Sequence, residues 1–451
     1  MSLIKFFSTN GHPEHVDFRQ ALLMGQAPDK GLYMPEQIPQ IPESKILGFP
    51  LKSYPEIAYE ILKPYLGDLV EEGALRSMLH NAYNYEVPVE KVYDERYILR
   101  LDRGPTCSFK DFAARIMGRL IQYFLKQDGR SILILTATSG DTGSAVAHAF
   151  YGLDNIRVVV LFPEKEVTAR QRRQMTTLGK NIFPLAVAGK FDDCQALVKQ
   201  AFVDHDLAGL DLSSANSINI GRLLPQAVYY FYAHSRVTKG GEEVVFSVPS
   251  GNFGDLMGGL IALKMGLPVR KFVAATNEND EFPRFMKTGI YEPIRPSKNC
   301  ISNAMNVGHP SNLARLFCLY GGRMDESGHV ILQPDLQAMK RDLYAVSIRD
   351  DETRQTIRDA YLEHKVLLEP HGAVGWAGLM KYLDEYGGSG TIPCISLETA
   401  DPAKFPDEIV RLTGVNPPLP AAMAKLDELQ ESFQKIDGSY ASLKDYLRGF
   451  L

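Results

Sequence analysis

Ser131-Ile132-Leu133-Ile134-Leu135-Thr136-Ala137-Thr138-Ser139-Gly140-Asp141-Thr142-Gly143-Ser144 holds the fold in one passage. Ser131–Thr136 is a short apolar run of the kind that forms a strand buried on both faces. The Gly-rich loop breaks it, and a helix follows through Ser144–Tyr151. The unit recurs. Upstream, a strand over Tyr97–Leu101 leads through Gly104-Pro105-Thr106-Cys107-Ser108-Phe109-Lys110-Asp111 into a long amphipathic helix, marked by Phe109, Phe112, Ala113, Ile116, Met117, Leu120, Ile121 and Phe124 at helical spacing. Downstream come the strand Arg157–Phe162 with a polar helix around Thr168–Leu178, and the strand Phe183–Val187 with the helix Asp192–Val203. Val244–Val248, the loop Gly251–Gly254 and the helix Leu256–Lys264 repeat the pattern, and Arg270–Ala275 and Ile392–Leu397 are further strands. Alternating strands and helices imply right-handed crossovers and mostly parallel sheets flanked by helices. Ligands bind such sheets at the carboxyl ends of the strands, where all the loops of interest lie.

At 451 residues the chain exceeds one compact core. Residues 1–80 read as a helical N-terminal subdomain punctuated by Pro35, Pro39, Pro42 and Pro50. The end of the chain, 411–451, reads as a helical tail with a helix over Ala421–Phe433. Hydrophobic content of 45% and charged content of 23% are those of a globular protein. A net charge of -5 and a pI near 6.1 argue against a nucleic-acid partner. The five cysteines are scattered without a Cys-x-x-Cys pair, which fits a reducing compartment and no structural metal. The start of the chain lacks a signal-length apolar core, and no run approaches the roughly 18–20 residues of a membrane span. The expectation is a cytoplasmic protein with no membrane partner.

Lys110 falls in the first turn of its predicted helix, where the helix dipole disfavours a cation by about 0.3–1 kcal/mol. That is a poor place for a charged lysine and a good one for a Schiff base, which needs a neutral amine. Three loops surround it in the pattern. Thr138-Ser139-Gly140-Asp141-Thr142-Gly143 and Ser250-Gly251-Asn252-Phe253-Gly254 present free backbone amides at helix starts, the geometry of an anion site. The third is Glu398-Thr399-Ala400-Asp401-Pro402-Ala403-Lys404. The dinucleotide glycine pattern is absent after an early strand. The nucleotide P-loop is absent too, because Gly179-Lys180 continues to Asn181. An anion loop together with an activated lysine suggests pyridoxal phosphate, which carries a phosphate and an imine-forming aldehyde in one molecule.

The segments 105–111, 136–143 and 250–254 resemble the motifs of the threonine synthases, pyridoxal-phosphate enzymes whose fold is similar to the tryptophan synthase β subunit. Ala21-Leu22-Leu23-Met24-Gly25-Gln26-Ala27-Pro28-Asp29-Lys30-Gly31-Leu32-Tyr33-Met34-Pro35 and Ala215-Asn216-Ser217-Ile218-Asn219-Ile220-Gly221-Arg222 extend the resemblance, which runs in order to about residue 410. It implies an α/β fold of two doubly wound, mostly parallel sheets, with a large cofactor-binding domain (81–125 and 235–410) and a smaller domain (126–234). It implies that Lys110 holds pyridoxal phosphate and then moves protons. Gly251, Asn252, Phe253 and Gly254 would bind the cofactor phosphate, and Thr399 the pyridine nitrogen. Ser139, Gly140, Thr142 and Gly143 would take the substrate's α-carboxylate.

Asp141 stands where related enzymes often place an asparagine against the ring's phenolate oxygen. An ionised aspartate cannot donate there, so Asp141 must be protonated or turned elsewhere, and it also suits a helix N-cap. The implied substrate is O-phospho-L-homoserine, whose phosphate would meet Asn216, Ser217, Asn219 and Arg222; Lys404, Arg115 and Lys165 are further cations with nothing local to single them out. The implied reaction is loss of phosphate followed by addition of water, giving L-threonine, in a monomer or homodimer. Alternatives are a phospholyase releasing 2-oxobutyrate, ammonia and phosphate, and a non-catalytic metabolite-binding relative. One departure is Asp401, where the family commonly has histidine.

Overall fold

The computed structural model describes residues 3–451 except 139, 240 and 388–390, and not the side chain of Asp192. Two sheets carry the structure. The larger has the order Leu343–Ser347, Val269–Thr276, Val244–Pro249, Cys394–Glu398, Arg96–Arg100, Val89–Tyr93. Its strands run parallel except the edge strand Val89–Tyr93, which is antiparallel to Arg96–Arg100. The smaller is parallel throughout, in the order Gln434–Ile436, Ile182–Val187, Ile156–Pro163, Ile132–Ala137, Leu212–Ser213. Strand Ile132–Ala137 is buried along its whole length. Such continuous burial is why its sequence shows an unbroken apolar run rather than alternation.

The N-terminal region adds the antiparallel pair Phe6–Ser8 and Tyr33–Pro35, and the helices Tyr54–Leu66 and Glu72–Ala82. Its buried residues join one apolar core with the helix Lys110–Asp128, which is covered on both sides by the fold. Between residues 96 and 398 the strand and helix positions expected from sequence agree to within one or two residues, apart from the helix expected at Ser144–Tyr151, which begins three residues earlier, at Asp141. The strands Leu212–Ser213, Leu343–Ser347 and Val89–Tyr93 are short and lack the unbroken apolar run that marks the buried strands in sequence.

The tail departs from expectation. Residues 421–433 form turns and a short 3-10 segment rather than a helix. Their backbone is committed outward: Arg173 donates to the carbonyls of Leu426 and Leu429, and Ser432 donates its amide to Thr176. Arg172 grips Glu431 through Nε at 2.8 Å and Nη2 at 2.9 Å. The chain then adds the strand Gln434–Ile436 to the smaller sheet and ends in the helix Tyr440–Arg448, whose Leu443 and Leu447 are fully buried. No described helix is long and apolar enough to cross a membrane.

Candidate active site

The carboxyl ends of four strands meet around Lys110. The lysine loop is zipped to the loop after Cys394–Glu398: Phe109 donates its amide to the Thr399 carbonyl at 2.9 Å, and Asp401 to the Cys107 carbonyl at 3.1 Å. Asp111, wholly buried, accepts the Thr106 amide and hydroxyl, each at 2.8 Å. Lys110 is thereby held as the first residue of its helix, as the spacing predicts. Burial pushes its amine down to about 8, partly opposed by Asp141 and reinforced by Lys404 and Arg222. The neutral fraction at ordinary pH is thereby far larger than for a free lysine, though the amine is still mostly charged at pH 7.

Asp141 has a settled role. Its Oδ1 accepts from Lys404 Nζ at 2.9 Å and Gln171 Nε2 at 3.0 Å, while Oδ2 lies 3.9 Å from Lys110 Nζ. Burial favours the neutral acid, but Lys404 and Lys110 overcome it and hold the carboxyl well below the usual range. Asp141 is therefore an ionised acceptor turned to two lysines. The N-cap reading is corrected: Gly140 is the cap and Asp141 the first helical residue. Capping falls to Thr138, whose Oγ1 accepts the amides of Gly140 at 2.9 Å and Gly143 at 2.7 Å. Within this loop the amides of Asp141 and Thr142 meet no acceptor among the described residues, whereas those of Gly140 and Gly143 are already held. Ser139 lies outside the described residues.

The loop after Val244–Pro249 has the strongest anion geometry. Phe253 takes the left-handed conformation at φ 62° just before the helix Gly254–Lys264. A left-handed residue followed by a helix turns successive amides into one concavity. Among the described residues the amides of 251–256 meet no protein acceptor. Asn252 braces the loop instead of facing the concavity, donating to Ser217 and Ser311 and accepting the Ser311 amide at 2.7 Å. At Gly251 a Cβ would come within 2.9 Å of the Met305 backbone, so the close approach requires glycine. Thr399 is buried, and its hydroxyl makes a long 3.4 Å contact to Glu369, which caps the helix Pro370–Tyr386. A phosphate cradle, an amine and a buried hydroxyl at one set of strand ends fit pyridoxal phosphate.

The cluster of residues 216–222 splits into two kinds. Asn219 is fully buried and its side chain is spent inside the protein, donating to the carbonyls of Leu22 and Ser214 and capping Gly221. This corrects its expected place on the substrate. Asn216 is held by Thr136 and Ala137. Arg222 is different. It is 3% exposed, gives one hydrogen bond to the Ala215 carbonyl at 2.6 Å, and leaves Nε buried without a partner. No carboxylate lies within ion-pair distance of it among the described residues, and burial drops it to about 10 despite Asp111. A buried guanidinium without an acid is poised for an anion from outside.

Three residues with a part in the site carried no sequence signal. Lys404, fully buried, pairs with Asp141. Gln171 supports the same carboxylate from the helix Ala169–Thr176. Arg315 binds the carbonyls of Tyr33, Ser217 and Ile218, tying the N-terminal region to the 217–218 segment. Arg115 is committed to Ala82, Asn81 and Asn84, and Lys165 is exposed. Asp401 caps Ala403 at 2.8 Å and so plays a turn role, away from the amine.

Comparison with known proteins agrees with this geometry. Residues 90–396 match the family model described as pyridoxal-phosphate dependent enzyme; residues 5–83 match threonine synthase N terminus, and 372–447 match threonine synthase, C-terminal. The chain is 42% identical to a threonine synthase of Haemophilus influenzae, covering 97% of this chain and 98% of that one. It is 39% identical to that of Serratia marcescens, over 99% of each chain. The solved structure of PLP-bound threonine synthase from Brucella melitensis superposes with a TM-score of 0.91 at 36% identity, covering 99% of both chains.

Proposed function

We propose, from the premise that this chain belongs to the threonine synthase family, that the residues around Lys110 convert O-phospho-L-homoserine and water to L-threonine and phosphate. The chain is a pyridoxal-phosphate-dependent enzyme and a lyase. When bound, the cofactor supplies an electron sink for carbanions next to the amino-bearing carbon. Lys110 would hold it covalently and, once displaced by substrate, act as the acid and base that moves protons among the substrate carbons. A buried amine lowered to about 8 is matched to both halves of that task near neutral pH. Asp141 and Lys404 flank it as a fixed ion pair, so the amine works beside a constant charge.

The concave amides of 251–254 would take the cofactor phosphate, with Asn252 bracing the loop, and Thr399 would sit against the ring nitrogen. The amides at Asp141 and Thr142, with Ser139, would receive the α-carboxylate. Arg222, with Ser217 and Asn216 beside it, would hold the substrate's own phosphate; the observation that carries this reading is a buried arginine with no acid partner among the described residues, near a lysine whose amine burial lowers to about 8. The division into a large lobe (81–125 with 235–410) and a smaller lobe (126–234), a cytoplasmic location and a monomeric or homodimeric state belong to the same proposal. The test is product analysis with phosphohomoserine. Threonine and phosphate should appear in equal amounts and vanish in Lys110→Ala; 2-oxobutyrate and ammonia in place of threonine would refute it.

A further inference from the structure

Lys404 ends the short 3-10 turn Pro402–Lys404 and is fully buried, an unfavourable place for an ammonium. Its turn is fixed from three sides. Asp401 caps it at the Ala403 amide, Arg170 binds the Ala403 carbonyl, and the Asp401 amide is tied to the Cys107 carbonyl of the lysine loop at 3.1 Å. Among the described residues its Nζ pairs with a single carboxylate, meeting Asp141 Oδ1 at 2.9 Å. Gln171 Nε2 donates to the same oxygen at 3.0 Å. The other oxygen stops 3.9 Å from Lys110 Nζ, too far for a hydrogen bond. A counter-ion for Asp141 is therefore already at hand in Lys110. A second, wholly buried lysine is needed only if the first must be free to lose its charge.

We propose that Lys404 is a positioning residue: it holds Asp141 back from Lys110 and keeps that carboxylate paired whenever Lys110 is neutral. This rests on the reading that Lys110 carries the cofactor. Without Lys404, Asp141 would be free to close on Lys110 as an ordinary buried ion pair. Such contact multiplies the charged-to-neutral ratio of the amine about ten- to a thousandfold. Lys404 also acts directly, since its ammonium disfavours a second cation nearby. It stays charged itself: burial weighs against its charge, but Asp141, aided by Cys107 and Asp111, outweighs burial. The other charges facing Lys110 are Arg222 from the helix Ile220–Leu223, Glu369 at the cap of Pro370–Tyr386, and Asp255 from Gly254–Lys264, while His371 faces Asp141. A change at Lys404 leaves all of these in place.

The experiment follows, on the full-length chain freed of cofactor, the pH dependence of the rate at which pyridoxal phosphate couples. Borohydride reduction and peptide mass locate the coupled lysine, and kcat and KM of the loaded enzyme complete the set. In Lys404→Met the midpoint should rise from about 8 by at least about one pH unit, and coupling at pH 7 should slow about tenfold or more. At pH 7 kcat should fall in step, while KM for phosphohomoserine stays within about threefold. Lys404→Arg, which keeps a cation on Asp141, should hold the midpoint near 8. Adding Asp141→Asn to Lys404→Met should bring it back to about 8 or below, because the carboxylate that closes on Lys110 is gone. Gln171→Met removes the second donor from the same oxygen and leaves every charge in place. It should raise the midpoint by a smaller amount, and it decides the matter if Lys404→Met does not fold. An unmoved midpoint in Lys404→Met, or in Gln171→Met where that variant decides, would overturn the proposal. So would a double variant whose midpoint stays as high as that of Lys404→Met, or a raised KM with no change in midpoint, which would put Lys404 on the substrate. Cofactor reduced onto another lysine in wild type would instead overturn the assignment of Lys110, and the proposal with it.

Discussion

Replacing Arg222 with methionine should severely impair catalysis at little cost to folding, which is unusual for a buried arginine. Burial lowers Arg222 to about 10, so holding it charged costs folding roughly 3 kcal/mol at any lower pH. Methionine removes that cost and fills similar space. It also removes the hydrogen bond to the Ala215 carbonyl, worth about 1.5–3 kcal/mol for a charged donor. The two nearly offset, so stability should change by no more than about 2 kcal/mol. Breaking an ordinary buried ion pair would cost about 3–5 kcal/mol. Substrate binding has no such offset. Two charge-assisted contacts to phosphate are worth about 3–6 kcal/mol together, so kcat/KM should fall roughly a hundredfold to ten-thousandfold. Urea unfolding gives the first quantity and steady-state threonine formation the second. Inorganic phosphate should raise the unfolding midpoint of wild type but not of the variant. A variant destabilised by more than about 3 kcal/mol with kcat/KM nearly intact would show Arg222 to be a structural residue.

Because the folded-state value of Lys110 lies below that of a free lysine, the cost its positive charge imposes on folding is full below about pH 8 and declines as pH rises from there toward the free-lysine value. The rate at which pyridoxal phosphate couples to apoenzyme should therefore climb with pH and level off near pH 8; a plateau reached only above pH 10 would contradict the burial argument. Asp141→Asn removes the charge that supports both lysines, so the same midpoint should move lower and Lys404 should be left buried without an anion, costing about 3–5 kcal/mol by denaturant titration. In wild type, Asp141 contributes stability fully above the usual aspartate range and loses it as pH falls below, so the variant should show a shallower acid limb. Leu447→Ala in the last helix, fully buried against the smaller sheet, should cost about 2–5 kcal/mol, and a loss under about 1 kcal/mol would make that helix peripheral.

The parallel sheets were legible because burial on both faces writes itself as unbroken apolar runs, and Ile132–Ala137 is the clearest case. Lys110 and the loops at 138–143 and 250–254 were legible because glycine-rich strand-to-helix turns have a local signature. Long-range partners leave none. Lys404 lies 263 positions from Asp141, and nothing around it in sequence distinguishes it from a surface lysine. Asn219 misled in the opposite sense: it reads as a ligand beside Arg222, yet its amide is consumed by Leu22, a contact made across 197 positions. The Ala421–Phe433 periodicity misled because helix spacing describes an apolar face, whereas the backbone there closes only short local turns and gives its Leu426 and Leu429 carbonyls to Arg173 and its Ser432 amide to Thr176.

The charges around the site explain why such distant residues are needed. Among the described residues, Arg222 and Arg315 are buried and bonded to backbone and amide carbonyl oxygens rather than to acids, while Lys404 and Lys110 share the carboxylate of Asp141. Burial pushes Arg315 down to about 9 and Arg222 to about 10, so each contributes cost rather than stability to the protein alone. Buried cations without a paired carboxylate are tolerable only where an anion completes them. A cofactor phosphate and a substrate phosphate together would supply that charge, one on the amides of 251–254 and one on Arg222. Loss of phosphate from the substrate would then free a strained cation, and the affinity of Arg222 for the departing ion should slow its release.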